Sequence, residues 1–576
     1  MAQEVHYEIF RRLGAKGGWT LHDVMANREN ALEAAAELMA REKATGVKVV
    51  KETYSTDTGD YLSLKIFEYG HTRMRTEAAA EDMPHALPCF KPDDLYSYHA
   101  RTTIARLLSD FLARQKWTVT ELIHRADALE KLEATGTLYQ HAIQKVAVAQ
   151  ASSTSMPVQQ IIKSLNELAT KAIQRVYRDT KKNLFPNVAS GAFGKAADRL
   201  ARDADGAYLL NGAIARHLMD AKSWDEKLRR LLALMDEAPA EGAGRTLLLS
   251  SVDAMVAEIL SGSAALTELI GPEENLGHAI LDLVRLFAGD DCETQAGKGL
   301  AALAQHFAKD DLPEARTSIA NRILAEIKSV KRLSHDSMDE ELRLLRRIAN
   351  NLVLAQGKYL AHEDLIAAFT LRSRRLIAQE AIGEHLDGAA TPDDRLERLL
   401  IIEENIIGQE NKRNLGAFVV PVVTSASFET HFINGKMPPL TKLKRLAELQ
   451  HRVRRSAFQE TQRREIAGLL DRIACQVEAQ TKLLDAIAAK AATPAELGIT
   501  ILKLFTGGML TEGKLSAKAR DLVVASLSRP GFLTGYVAHL AHDGQKPDAE
   551  TAMGELMQTL QKAGITPETG LRSIAA

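Results

Sequence analysis

The chain has 576 residues, 45% of them hydrophobic and 5% aromatic, and its 73 basic and 75 acidic side chains leave a formal charge of −2. That length exceeds what a single hydrophobic core reaches, so roughly three or four packed units are expected. The balanced charge excludes a protein that works through one overall basic or acidic field, and a core rich in Leu, Ile, Val and Ala with few rings suits helix-on-helix packing.

The first 70 residues read as a small β-β-α-β-β module. In "VHYEIF", Val5, Tyr7 and Ile9 alternate with His6, Glu8 and Phe10, and in "GWTLHDV", Trp19 and Leu21 alternate with Thr20 and His22. Between them "GAKGG" at 14–18 supplies glycines for a hairpin loop. Asn27 is placed to cap a helix over 28–43 that turns Leu32, Ala35, Leu38 and Met39 inward. Two further strands, "GVKVVKETY" and "YLSLKIFEY", flank a turn at 57–60, with Leu62, Leu64 and Ile66 on one face of the second. One helix covers one face of the sheet, which leaves the other face for docking or sensing. Residues 71–92 carry Pro84, Pro88 and Pro92 without periodicity and read as a linker.

From Asp93 onward the periodicity is helical, and the fold class is mainly α. The expected helices are 93–116, 119–133, 136–151, 157–182, 192–221, 224–237, 244–260, 274–288, 295–308, 313–333, 338–357, 362–387, 392–416, 439–458 and 461–490. Their starts carry capping boxes at Thr118–Glu121, Ser223–Glu226, Ser337–Glu340 and Thr493–Glu496. Pro157, Pro313, Pro392, Pro439, Pro494 and Pro567 stand at or near first helical positions. Short connections predict a multi-helical array of antiparallel hairpins, solenoid-like or a bundle, although no fixed repeat emerges. Softer seams at 236–245 and 488–496 suggest helical domains over 93–240, 241–490 and 491–576, after the module at 1–70 and the linker at 71–92.

One stretch breaks the pattern. Read as a continuous helix, 395–416 puts Leu396, Leu399, Leu400, Ile406 and Ile407 on one stripe together with Glu403 and Glu410, and Asn411 at its edge. Carboxylates on an apolar face need partners, so both are expected to be buried and bonded outside their own helix. Arginines of a neighbouring helix, or free amides at a nearby helix start, could meet them. The sharper alternative is an interhelical polar pocket lined by Glu403, Glu410, Asn411, Lys412 and Arg413.

Other motifs are weaker. Gly508, Gly513 and Lys514 approach the phosphate-cradling loop, but Leu515 stands where Ser or Thr should hold magnesium. His539, His542 and Asp543 have ligand-like spacing without further ligands, as do His335 and Asp336. "DADG" at 203–206 fails the calcium-loop frame, because Gly212 falls where a Glu is required. Basic residues gather over 436–464, including Lys442, Lys444, Arg445, Arg452, Arg454, Arg455, Arg463 and Arg464, but spread around the helix with few aromatics. Ile466, Leu470, Ile473, Val477, Gln480, Leu484 and Ile487 form a seam expected to pair with 439–458, a homodimer through 461–490 being the alternative.

Cys89, Cys292 and Cys475 are far apart without a CxxC pair, which fits a reducing compartment. No secretory signal or long apolar run is recognised, so a cytoplasmic location is expected, in a chain of bacterial, high-GC style. No catalytic, cofactor or metal motif assembles. The expectation is a non-enzymatic cytoplasmic scaffold or regulator acting on another protein. The alternatives are a ligand-responsive regulator built on the 403–413 pocket, and a binder of nucleic acid or an acidic partner through 436–464.

Overall fold

The computed structural model describes residues 5–12, 19–41, 46–54, 61–70, 87–152, 154, 156–290, 298–355, 357, 359–542 and 549–566. Contacts divide the chain into two units, Met1–Pro88 with Ile143–Leu165, and Cys89–Ala142 with Asn166–Ala576.

The first unit holds β1 (Val5–Arg12), β2 (Thr20–Met25), α1 (Arg28–Arg41), β3 (Gly46–Tyr54) and β4 (Tyr61–Gly70) in an antiparallel sheet of order β2-β1-β3-β4. The β-β-α-β-β order is the one the alternation predicts. The Asn27 side chain accepts from the Glu29 amide at 2.8 Å and starts α1. Ile9, Val47 and Val49 pack with Ala31, Ala35 and Leu38. On the opposite face the Lys48 ammonium sits 4.5 Å from the Phe10 ring and 5.3 Å from that of Trp19. The loops at 14–18 and 57–60, the linker over 71–86, and the side chains of Met39, Leu62 and Leu64 lie outside the described residues.

The rest is helical, mainly α as expected. A 3₁₀ turn, Pro92–Tyr96, leads into α2 (Tyr98–Leu107), α3 (Ser109–Gln115), α4 (Val119–His124) and α5 (Ala126–Glu133). Then come α6 (Leu138–Ala151), α7 (Val158–Lys181), α8 (Phe193–Leu200), α9 (Gly206–His217), α10 (Trp224–Asp236), α11 (Ala243–Ser261) and α12 (Ser263–Ile270). The middle contains α13 (Leu276–Ala288), α14 (Lys298–Ala308), α15 (Pro313–Lys328), α16 (Met338–Ala355), α17 (His362–Leu376), α18 (Gln379–Asp387) and α19 (Pro392–Asn405). The last third contains α20 (Gln409–Val423), α21 (Ala426–Ile433), α22 (Pro439–Arg455), α23 (Glu460–Thr481) and α24 (Leu483–Lys490). It closes with α25 (Pro494–Thr506), α26 (Lys514–Leu527), α27 (Phe532–His542) and α28 (Ala549–Lys562). Among the described residues no single helix is long and apolar enough to cross a membrane.

In the second unit one hydrophobic core runs from Phe193 to Ile565, beside a smaller one between Leu108 and Tyr208. The chain passes 236–243 and 490–494 as short helix-to-helix connections.

Helix ends explain how these short helices hold together. Each leaves free amides at its start and free carbonyls at its end, and burying them unpaired is costly. Here side chains of other helices supply many of the partners. Asp253 accepts from the Glu314 and Ala315 amides at 2.9 and 2.8 Å, Glu258 from Thr120 at 2.9 Å, and Glu268 from Trp224 at 2.9 Å. At the opposite poles Arg372, 2% exposed, donates to the carbonyls of Ile327 and Glu326, each at 2.9 Å. Arg316 does the same for Phe287 and Phe307 at 3.1 and 3.0 Å. Negative charge meets helix starts and positive charge meets helix ends, as the helix dipole favours.

The expected capping residues act, with one refinement. The hydroxyls of Thr118, Ser223, Ser337 and Thr493 each accept from the amide three residues on. The full reciprocal box forms at Thr118–Glu121, whereas Glu226 and Glu496 reach one residue further back, to the Lys222 and Ala492 amides. Pro313, Pro392, Pro439 and Pro494 sit in first turns as expected, and Pro567 lies outside the described residues.

Several long helices read from periodicity are broken. The expected 392–416 helix is two, α19 and α20, separated at Gly408, whose φ of +100° no helix accommodates. A Cβ there would also crowd the Thr370 methyl at 2.9 Å. The expected 461–490 helix breaks at Lys482, which adopts a left-handed φ of +47°. Periodicity passes through such points because apolar residues keep a similar spacing on both sides.

Candidate functional site

The stripe that suggested a site does bury its first carboxylate. Leu396, Leu399 and Leu400 are in the core, and Glu403 is 4% exposed. Its Oε1 accepts from the Ala457 amide at 2.9 Å and lies 3.2 Å from the Lys412 ammonium. Ala457 belongs to the turn between α22 and α23, so Glu403 pins that turn from behind. The carboxylate is buried and partnered outside its own helix as expected, but by an amide of the interhelical turn and a lysine in place of the expected helix-start amide or arginine.

Glu410 corrects the other half of the expectation. It is exposed in the first turn of α20 and has no side-chain partner among the described residues. The break at Gly408 resets the helix phase, so the register assigned to a continuous helix does not reach Glu410. Asn411 is instead the buried polar group of this turn, 3% exposed, donating to Thr370 O at 2.9 Å and Ile407 O at 2.8 Å. The Ile407 amide in turn donates to Ser373 Oγ at 2.9 Å, which ties the break to α17.

Of the five candidate residues, Glu403, Asn411 and Lys412 thus hold the helices in place, Glu410 faces solvent, and only Arg413 lines a cavity. It lines a cleft of about 1190 Å³ between α20 and the α22–α23 turn. Gln409, Asn414 and Ala417 line it from α20. Ser456, Ala457 and Phe458 line it from the turn, and Gln459, Glu460, Gln462 and Arg463 from the start of α23. Phe458, 4% exposed, gives it an apolar base. Arg463 donates to Ser456 O at 3.2 Å and pairs with Glu460, which also takes Arg464 at 2.6 Å. The Gln462 side-chain oxygen is buried with no hydrogen-bond partner among the described residues. The cleft is rich in amide and guanidinium donors, and Gln459 places no side-chain cap on the start of α23.

Sequence reasoning missed the turn residues, because a cleft between helices remote in sequence leaves no local pattern. The one available signal was Ser456 at the end of a run with three arginines in its last turn.

The Gly508–Lys514 stretch resolves differently from a phosphate loop. The residues before it form the helix α25 where that motif requires a strand. The amides at its end are already occupied: Asp471, on α23, accepts from Lys514 N at 2.6 Å, Leu515 N at 3.3 Å and Thr511 Oγ1 at 2.7 Å. Gly513 has φ +149°, and a Cβ on it would run into that carboxylate. Gln450 completes the contact by accepting from the Glu512 amide at 2.6 Å and donating to Glu512 O at 2.9 Å. A carboxylate of the chain stands where a phosphate would.

Most of the 436–464 basic residues are likewise engaged. Arg445 pairs with Asp393 at 2.9 Å and with Glu397, and Arg452 with Glu397 at 3.3 Å and Glu404 at 2.9 Å. Arg454 meets Glu512 at 2.6 Å, and Lys442, 5% exposed, donates to Ile433 O. Burial pushes the Asp393 carboxyl up, but the Thr391 hydroxyl, the Arg445 guanidinium and His431 outweigh it and hold the group below its usual range. In the expected 461–490 seam, Ile466, Leu470, Ile473 and Val477 are buried within the chain on α23, which packs on α22, and Leu484 is buried on α24. Gln480, in the last turn of α23, is exposed and takes no part. A homodimer through this segment has to use its outer face.

Burial, with Asp471 adding to it, raises the Cys475 thiol, which makes it a poor nucleophile. Asp336 closes a local turn with Ser334. The side chain of His542 and all of Asp543 lie outside the described residues. Among the described residues no three His, Cys, Asp or Glu side chains gather as metal ligands would. No protein-family model, no curated protein and no solved structure matches the chain.

Proposed function

We propose that the chain is a non-enzymatic helical scaffold of the cytoplasm, and that it holds a segment of another protein in the cleft between α20 and the α22–α23 turn. The observation that carries this reading is the cleft itself. At about 1190 Å³ it exceeds the roughly 300–1,000 Å³ of small-molecule sites, and its rim residues are exposed. Its walls are fixed from behind by Glu403 and Asn411, so the surface is formed before a partner arrives.

The test is a photoreactive amino acid at position 417, exposed in the cleft wall. Ultraviolet irradiation in the native cell is expected to give a discrete protein adduct from position 417 and none from Ala325, exposed on α15. Equal adducts from both positions, or none from 417, sink the proposal. The neutral amide side chains of Gln409, Asn414 and Gln459 in the lining favour a second reading, a small polar ligand that regulates the chain. Under that reading a metabolite raises the melting temperature and abolishes the adduct.

A further inference from the structure

We infer that the segment held in this cleft is acidic, and that a carboxylate of it seats on Arg413. The inference rests on the cleft being a protein-binding site, and it adds the chemistry of the partner.

Most cations around the site are already paired. Lys412 is taken by Glu403, Arg452 by Glu397 and Glu404, Arg454 by Glu512, and both Arg463 and Arg464 by Glu460. Arg413 is the exception in the cleft wall: it is exposed and has no hydrogen-bond or ion-pair partner among the described residues. Glu410 stands three residues before it on α20, at a spacing that favours helical ion pairs, yet the two do not pair.

The one acidic side chain in the lining, Glu460, is already neutralised by two arginines. The remaining polar lining is made of neutral amides and the Ser456 hydroxyl. The cleft therefore presents an unbalanced positive charge at Arg413. A neutral segment docking there would strip water from the guanidinium and return at most neutral carbonyl hydrogen bonds, and a basic one would be repelled. A carboxylate returns a forked, charge-assisted pair of hydrogen bonds. Phe458 and Ala417 beside it give the aliphatic part of such a segment an apolar surface.

The experiment uses the full chain and two fluorescein-labelled peptides of alternating Glu and Leu, or Gln and Leu. Binding is read by anisotropy and located by the photoreactive residue at 417. The Glu peptide is expected to bind about tenfold more tightly than the Gln peptide, the scale of one charge-assisted contact. That preference disappears in Arg413→Gln, returns in part in Arg413→Lys, and is unchanged in Arg455→Gln, an exposed arginine outside the cleft lining. An unchanged melting temperature in each variant shows that the fold is intact. If both peptides cross-link at 417 with equal affinity, or the preference survives Arg413→Gln, the acidic partner is refuted while the cleft stands as a binding site. If Arg455→Gln weakens binding as much as Arg413→Gln, a diffuse basic surface replaces the specific contact and the inference fails. If neither peptide cross-links at 417, the cleft reading falls with it.

Discussion

At the start of α26 the amides of Lys514 and Leu515 close on the Asp471 carboxylate, whereas the first-turn amides of α23 find no acceptor among the described residues and lie at the cleft. The backbone chemistry at the two starts is the same. At α26 a remote side chain consumes it and the contact holds two helices together. At α23 the chain leaves it unused, beside an arginine that is also unused. Whether a helix start acts as structure or as an available surface is decided by what packs over it.

The largest effect should come from emptying the filled site. Asp471→Ala leaves two amides and the buried Thr511 hydroxyl unpaired, and is expected to cost about 3 kcal/mol in urea unfolding. A cost below about 1 kcal/mol would show that the filled start is dispensable, and the contrast with α23 would dissolve.

The two glutamates of the original stripe sharpen the same point. Glu403→Ala removes the Ala457 contact and is expected to cost about 2 kcal/mol, while Glu410→Ala should stay within about 0.5 kcal/mol. Equal costs would contradict the register set by Gly408.

Filling the open start is the converse change. Gln459→Asp places a capping carboxylate on the free amides of α23 and should stabilise the chain by about 1 kcal/mol. The same substitution should weaken adduct formation from position 417. A loss of stability would mean that the start is not free.

The smallest effect concerns acid. Asp393, held below its usual range, is charged in the folded chain at pH values where the unfolded group is already taking up protons. Its contribution is present above the unfolded value near pH 4 and is lost as pH falls through the folded one. Asp393→Asn should therefore flatten the decline of unfolding free energy below about pH 4 relative to wild type. An unchanged slope would remove Asp393 from the contacts that hold α22 to α19.

Local rules made much of this protein legible from its sequence. The β-β-α-β-β order, the helical class, and helix starts at Asn27, Thr118, Ser223, Ser337 and Thr493 follow from alternation, periodicity and caps that act within four residues. The rule that a carboxylate on an apolar face needs a partner also held for Glu403. Applied to α23, it would have flagged Asp471 and Glu478, both buried, the latter paired with Lys518 at 3.0 Å.

Which partner answers each carboxylate is a tertiary matter. Ala457 lies 54 residues from Glu403, and Lys514 lies 43 from Asp471. No periodicity carries that distance. The phase of α20 after Gly408, the exposure of Glu410, the loss of the phosphate-loop reading and the cleft beside Arg413 were all decided by packing. Each depends on which remote helix covers a polar group and which leaves it to solvent.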